Sequence, residues 1–303
     1  MSIPDGPAWF RHEPLSWWGR FLVSAVKLGP TPRHIAIVMD GNRRFARYRK
    51  LGTVMEGHSA GFVQLTKVLD WCDTLGVEEV TVFAFSIENF KRSEDEVSGL
   101  MTLGEKRFTQ LLEHTSKLIE RRVGIRFFGD RSLLSDKIRE LMSKIERINP
   151  ADGTNTKIFL NICLSYTSQN ELLRAFEAIR RDVKAGTLDK NKIDAALLSA
   201  RMDTRDCRPL DLLIRTSECR LSDFLIWQAN IFNFLSTALY FGCIFKKTNI
   251  YLCVMLQCSP RCIVKFDSDV LWPQYSLFHL LRAIVHYQMA QLRCGWWTIR
   301  GLR

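Results

Sequence analysis

Asp40 ends the apolar run Ile35-Ala36-Ile37-Val38-Met39 and is followed at once by Gly41, Asn42, Arg43 and Arg44. A carboxylate, a glycine, an amide and paired guanidiniums in that order are the parts of a site for an anionic ligand. A run that is apolar at every position reads as a parallel strand buried on both faces, and ligands gather beyond the carboxyl ends of such strands. Gly41 lets the backbone approach a ligand closely. Residues 42–50 can form a helix whose free N–H groups and positive dipole end favour phosphate. A carboxylate beside that phosphate points to a shared divalent cation, because Mg2+ is usually held by one or two carboxylates plus substrate phosphates. On these residues alone, a solvated turn after a core strand is the competing account.

Further clusters fall at or after other apolar strands. Ser86-Ile87-Glu88-Asn89-Phe90-Lys91-Arg92-Ser93 mixes hydroxyl, amide, aromatic and guanidinium groups, as a ligand-facing loop does. The same segment also reads as a helix start, since Ser93 precedes Glu94, Asp95 and Glu96. Arg215-Thr216-Ser217-Glu218-Cys219-Arg220-Leu221-Ser222 sets arginines and hydroxyls around a strand exit. The guanidinium fork suits bidentate phosphate contacts, so Arg215 and Arg220 together suggest a diphosphate; the plainer account is a surface ion pair with Glu218. His58, read at a helix start, is either a phosphate contact or a structural imidazole. No zinc spacing, Gly-x-Ser-x-Gly elbow or Gly-x-x-x-x-Gly-Lys loop occurs, which argues against hydrolase and nucleotide-triphosphatase chemistry.

The elements that must carry these groups alternate. Strands are predicted near residues 35–40, 79–85, 123–128, 157–164 and 211–215, and helices near 58–75, 95–121, 135–148 and 169–184, with Gly52, Gly76, Gly124 and Gly186 at helix ends. Strand–helix alternation means an α/β fold with a mostly parallel sheet. With 303 residues and 47% hydrophobic content the chain can bury a large core. The formal net charge of +11 fits nucleic acid, anionic membrane or diphosphates alike, but the basic residues sit beside turns after strands instead of on one face interleaved with aromatics. That distribution argues against nucleic acid.

Nine cysteines without a Cys-x-x-Cys pair indicate a reducing compartment. The N-terminus lacks the pattern of a secretory signal, and Trp17, Trp18, Phe21, Leu22 and Val26 give residues 1–29 an apolar helical stripe. That stripe suits a membrane surface or the flank of its own domain.

Taken together, His34-Ile35-Ala36 through Ala46, Glu56-Gly57-His58, Ala84 through Phe90, Asp211 through Ser217, Arg220 through Gln228 and Leu271-Trp272-Pro273 resemble the cis-prenyltransferase, or undecaprenyl diphosphate synthase, family. The likeness is strongest to its eukaryotic dehydrodolichyl diphosphate synthase branch. It runs from about Trp17 to Gln228 and resumes from about Cys262 to Gln288. The resemblance implies one α/β domain whose helices enclose an apolar tunnel, spanning residues 30–292. It also implies cis addition of isopentenyl diphosphate to farnesyl diphosphate, with Mg2+ as cofactor and a dolichol-pathway role in protein glycosylation at the cytosolic face of the endoplasmic reticulum membrane. By the same carry-over Asp40 holds the metal, and Gly41, Asn42, Arg43 and Arg44 cradle the allylic diphosphate. Ser86, Asn89 and Arg92 lie near the reacting centre with His58 and Phe90 among the substrate contacts, and Arg215, Arg220 and Ser222 hold isopentenyl diphosphate. Phe62, Leu65, Val68, Leu69, Trp71, Val97, Leu100, Met101 and Phe108 are candidates for the apolar wall, unless they are plain core.

The chain also departs from the family. Val54 stands where many members carry an arginine on the allylic diphosphate, and Cys219 replaces a histidine of bacterial members. Residues 230–261 form an atypical apolar insertion with Cys243, Cys253 and Cys258. Its stretch from Ile231 to Phe245 is shorter than the ~20 residues of a membrane span, which favours a retained intron, a gene-model error or a membrane-lying loop over a spanning helix. A non-catalytic subunit is the alternative that this insertion raises. Arg293-Cys294-Gly295, at the start of an atypical tail over 293–303, lies where self-sufficient members carry an Arg-x-Gly motif that completes a neighbouring site. The resemblance therefore implies a dimer, either of this chain with itself or with a subunit resembling the Nogo-B receptor.

Overall fold

The computed structural model describes residues 14–148, 156–229 and 262–300, with side chains to residue 292. Six strands, β1 (His34–Val38), β2 (Glu79–Ser86), β3 (Val123–Phe128), β4 (Ile158–Tyr166), β5 (Leu212–Thr216) and β6 (Ile263–Asp267), form one sheet in the order β3-β4-β2-β1-β5-β6. Every pairing is parallel. The helices are α1 (Trp17–Val26), α2 (Asn42–Tyr48), α3 (Val54–Leu75), α4 (Glu94–Glu113), α5 (Thr115–Arg121), α6 (Asp136–Ile148), α7 (Ser168–Lys184), α8 (Ala195–Ser199) and α9 (Leu277–Arg300).

All of β1 is buried, and its side chains alternate between two cores. Ile35 and Ile37 join the larger core with Val68, Val82, Leu111 and Ile284, whereas Ala36 and Val38 join the smaller one with Leu213 and Phe224. A strand covered on both faces needs apolar residues at every position, which is why this run has no alternation. The strand order reverses at β1, which lies between β2 and β5, so a crevice opens beyond the carboxyl ends of these three strands.

Several local differences from the sequence reading have plain causes. The helix expected to start at His58 begins at Val54, because Thr53 and Glu56 form a reciprocal capping box; His58 therefore lies in its second turn. The helix expected over 95–121 is broken at His114 into α4 and α5. Gly124 does not end a helix but lies inside β3; Arg122, with φ of 56°, makes the left-handed turn that closes α5. Strand β6, not among the expected strands, pairs with β5 at the sheet edge.

Helix α1 packs on α9, where Gly19 leaves room for Leu277, and Gln288 donates to the Val26 carbonyl at 2.8 Å. Its opposite face keeps Trp17 and Phe21 about 60% exposed, at 61% and 60%. The N-terminal stripe thus has one face on its own domain and an aromatic face toward solvent. Helix α9 runs through the domain boundary expected at residue 292. The expectations for residues 230–261 and for the side chains of Arg293-Cys294-Gly295 lie outside the described residues.

Candidate active site

Asp40 follows the last residue of β1, and its backbone is fixed from several sides. Its N–H donates to Thr216 Oγ1 at 3.1 Å, while its carbonyl accepts from Thr216 Oγ1 at 2.8 Å, Ser217 Oγ at 3.0 Å and the Trp272 N–H at 2.9 Å. The turn after it is left-handed, with φ of 104° at Gly41. A Cβ there would stand 2.4 Å from Ser217 Oγ, so only glycine fits.

The carboxylate of Asp40 meets Arg215, which is 2% exposed. Arg215 Nη2 donates to Asp40 Oδ2 at 2.9 Å and to Glu218 Oε2 at 2.8 Å. Its Nη1 donates to Ser222 Oγ at 2.6 Å and to the Arg220 carbonyl. Glu218 also pairs with Arg220 and, at 3.7 Å, with Arg44; Arg44 in turn donates to the Ser217 carbonyl at 3.2 Å. The Glu218 ion pair is therefore part of the cleft, not a detached surface feature.

On the other side, Ser86 and Asn89 form a tight 3-10 turn after β2, with the Ser86 N–H donating to Asn89 Oδ1 at 3.0 Å. Arg92 pairs with Glu96 at 2.8 Å, and the same carboxylate faces Arg43 at 3.7 Å. Burial, and then the charge of Arg92, push the His58 imidazole down to about 4, so it is neutral at physiological pH. Gly57 and Gly61 let α3 approach α2: a Cβ on Gly61 would lie 2.2 Å from Asn42 Oδ1. Asn42 Oδ1, His58 Nε2 and Arg215 Nε are buried and have no hydrogen-bond partner among the described residues. Buried polar atoms are rarely left unpaired, and these three belong to residues around one cleft.

That cleft has a volume of about 800 Å³. Its lining brings together Asp40, Gly41, Asn42, Arg43, Arg44, His58, Ser86, Asn89, Arg92, Arg215, Arg220 and Ser222 from the ends of β1, β2 and β5, the turns beyond them, and helices α2 and α3. Away from this polar end its wall is apolar, with Phe62 and Leu65 from α3 facing Leu100, Met101 and Phe108 from α4. Phe90, expected as a substrate contact, is instead turned into the core against Phe85, with ring centroids 4.9 Å apart. Val68 is fully buried, and Leu69, Trp71 and Val97 also pack on the core and are absent from the lining. Sequence reasoning missed Arg47, Arg107 and Trp272 as lining residues, and Glu96 as the carboxylate behind the arginines. The spacing of Arg43, Arg44 and Arg47 on one short helix was the available signal for the first of these.

Among the described residues no group of three or more His, Cys, Asp or Glu side chains is placed to hold a metal ion. Asp40 is about a third exposed at 33%, and so is Glu218 at 32%, toward the cleft. This donor set fits Mg2+, which is content with one or two carboxylates when phosphates and water complete its shell.

Comparison with known families decides the kinship: the family described as putative undecaprenyl diphosphate synthase matches residues 38–256. The chain belongs to the cis-prenyltransferase family. It is 40% identical to the dehydrodolichyl diphosphate synthase complex subunit DHDDS of Homo sapiens over 93% of this chain and 74% of that protein. The complex subunit of Schizosaccharomyces pombe is 36% identical over 93% of this chain and 96% of its own length. A tritrans,polycis-undecaprenyl-diphosphate synthase of Methanopyrus kandleri is 36% identical over 91% and 89%. Among solved structures, lavandulyl diphosphate synthase from Lavandula x intermedia, in complex with dimethylallyl diphosphate, superimposes with a TM-score of 0.68 at 26% identity, over 85% of this chain and 95% of that one. These relatives are synthases or subunits of synthase complexes, which does not favour the non-catalytic alternative.

Proposed function

We propose that this cis-prenyltransferase lengthens farnesyl diphosphate by repeated cis addition of isopentenyl diphosphate, yielding a long polyprenyl diphosphate for dolichol synthesis and protein glycosylation. The observation that carries this is one cleft with a cationic end and an apolar wall running from Phe62 to Phe108. Gly41, Asn42, Arg43 and Arg44 hold the allylic diphosphate, and Arg215, Arg220 and Ser222 hold that of isopentenyl diphosphate. Loss of diphosphate from an allylic carbon develops negative charge on phosphate oxygens, and fixed guanidiniums stabilise that charge as it forms. Mg2+ bound at Asp40 supplies further charge neutralisation to the phosphate oxygens. Ser86 and Asn89, locked in their turn, orient the reacting ends, while neutral His58 offers a hydrogen bond without adding charge. The apolar wall takes the growing hydrocarbon out of water.

The protein works at the cytosolic face of the endoplasmic reticulum membrane, with the exposed Trp17, Trp18 and Phe21 of α1 touching lipid, and pairs with a second subunit or a second copy of itself. No helix among the described residues is long and apolar enough to cross a membrane. The catalytic domain spans residues 30–292 and is interrupted at 230–261. The test is incubation of the purified chain with Mg2+, farnesyl diphosphate and labelled isopentenyl diphosphate. Label entering long apolar product is expected. Failure both alone and with a partner subunit, also after deletion of residues 230–261, overturns the reading.

A further inference from the structure

The cleft is lined by Arg43, Arg44, Arg47, Arg92, Arg107, Arg215 and Arg220. Almost all of these guanidiniums are already engaged. Arg43 and Arg92 share Glu96; Arg44, Arg215 and Arg220 share Glu218, with Asp40 also facing Arg44 and Arg215. Arg107 donates to Gln110 at 3.0 Å and lies 4.6 Å from the centre of the Phe62 ring. Arg47 is exposed and makes no side-chain hydrogen bond, ion pair or ring contact among the described residues. A second cleft, of about 570 Å³, shows the contrast: its Arg126, Arg131, Arg174 and Arg205 are paired with Glu79, Glu146, Asp203 and Asp206. It is self-neutralised and leaves no cation over for an anion.

Arg47 follows Arg43 and Arg44 on α2 at spacings that set side chains on one helix face. We infer that Arg47 is a substrate-binding residue that closes on a phosphate of the allylic diphosphate held by Arg43 and Arg44. This rests on the function proposed above. An engaged arginine must share its hydrogen bonds between a carboxylate and the ligand, whereas Arg47 meets the phosphate with all its donors free. Val54, the first residue of α3, offers no charge in return. The plainer account of Arg47 is a cation in the last turn of α2, favoured by the helix dipole.

The test measures binding of inorganic pyrophosphate by calorimetry, and steady-state kinetics with farnesyl and isopentenyl diphosphates, for wild type, Arg47→Ala and Arg47→Lys. Arg47→Ala is expected to weaken pyrophosphate binding and raise KM for the allylic substrate by about tenfold, the effect of one charge-assisted contact. KM for isopentenyl diphosphate should stay within about twofold, and lysine, which keeps the charge but not the fork, should restore only part of the loss. A role in the helix dipole alone would lower thermal stability and leave pyrophosphate affinity unchanged, which overturns the inference. Equal loss for both substrates, or no saturable pyrophosphate binding by wild type, overturns it as well. Absence of turnover with intact, Arg47-dependent pyrophosphate binding would instead count against the proposed reaction and uphold the residue.

Discussion

Replacing Arg215 by methionine tests the centre of the site, because this side chain joins the proposed phosphate-binding groups to the fold. Arg215 is 2% exposed and holds Asp40 Oδ2 at 2.9 Å and Glu218 Oε2 at 2.8 Å. Removing one member of a buried ion pair costs about 3–5 kcal/mol, since the partner is left without compensation. Here the two carboxylates are 33% and 32% exposed, so water takes over much of that role. A destabilisation of about 2 kcal/mol follows, or a fall in Tm of about 5 °C for a domain of this size. The same change removes the donors to Ser222 Oγ and to the Arg220 carbonyl. On the roles proposed above, two groups that hold phosphate are then lost or displaced, and kcat/KM for isopentenyl diphosphate should fall on the order of a thousandfold. The assay pairs thermal unfolding with steady-state kinetics and adds the double variant Arg215→Met/Glu218→Gln. Neutralising Glu218 should restore about half of the lost stability and none of the activity. A single variant that melts within about 1 °C of wild type, or a double variant no more stable than the single, would refute the reasoning.

Asp40→Ala should retain the fold, because its backbone rather than its side chain carries the contacts to Thr216, Ser217 and Trp272, and should lose nearly all turnover; circular dichroism and the labelled-product assay read the two. Near-normal activity in a folded Asp40→Ala protein would defeat its metal role. His58 is held at about 4 against an ordinary 6.5 in the unfolded chain, so the unfolded state binds the extra proton between those values. Stability should therefore fall as pH drops from about 6.5 toward 4, by up to about 3 kcal/mol, and urea titrations at successive pH values should show a shallower decline for His58→Gln. Buried His34, also lowered chiefly by desolvation, leaves a remaining slope of the same sign. Gly61→Ala sets a methyl 2.2 Å from Asn42 Oδ1 and 3.0 Å from Trp272 Cδ1; overpacking of this kind costs about 1–3 kcal/mol and should raise KM for the allylic substrate as α2 shifts. An unchanged KM would show that the α2–α3 approach does not position Asn42.

Strand ends were legible because a doubly covered parallel strand must be apolar throughout, so the first polar residues after β1, β2 and β5 announce the crevice. What depended on distant pairing was not. Glu96 serves Arg43 across a sequence gap that no local pattern bridges, and Glu218 reads as an ordinary surface pair until Arg215 is seen to be buried beside it. Phe90 misled because sequence order put it between Asn89 and Lys91, while the tight turn directs it to Phe85. The apolar faces of α3 and α4 are ambiguous for a physical reason: a cleft wall and a core demand the same side chains, so Leu65 and Val68 look alike in sequence although only Leu65 lines the cleft.

The loop after β5 gave no warning either, for Ser222, Asp223 and Leu225 adopt positive φ of 51°, 57° and 46° with no glycine among them. Such backbone persists only when its surroundings over-determine it. Arg215 holds one end through Ser222, and the start of α7 holds the other: the Ser168 N–H donates to the Asp223 carbonyl, and Ser168 Oγ accepts from the Ile226 N–H, each at 2.8 Å. The arginine proposed to bind diphosphate is thus also a clamp on a strained loop, and no single substitution of it can separate binding from stability. Arg47, whose side chain makes no hydrogen bond, ion pair or ring contact among the described residues, is where the two come apart.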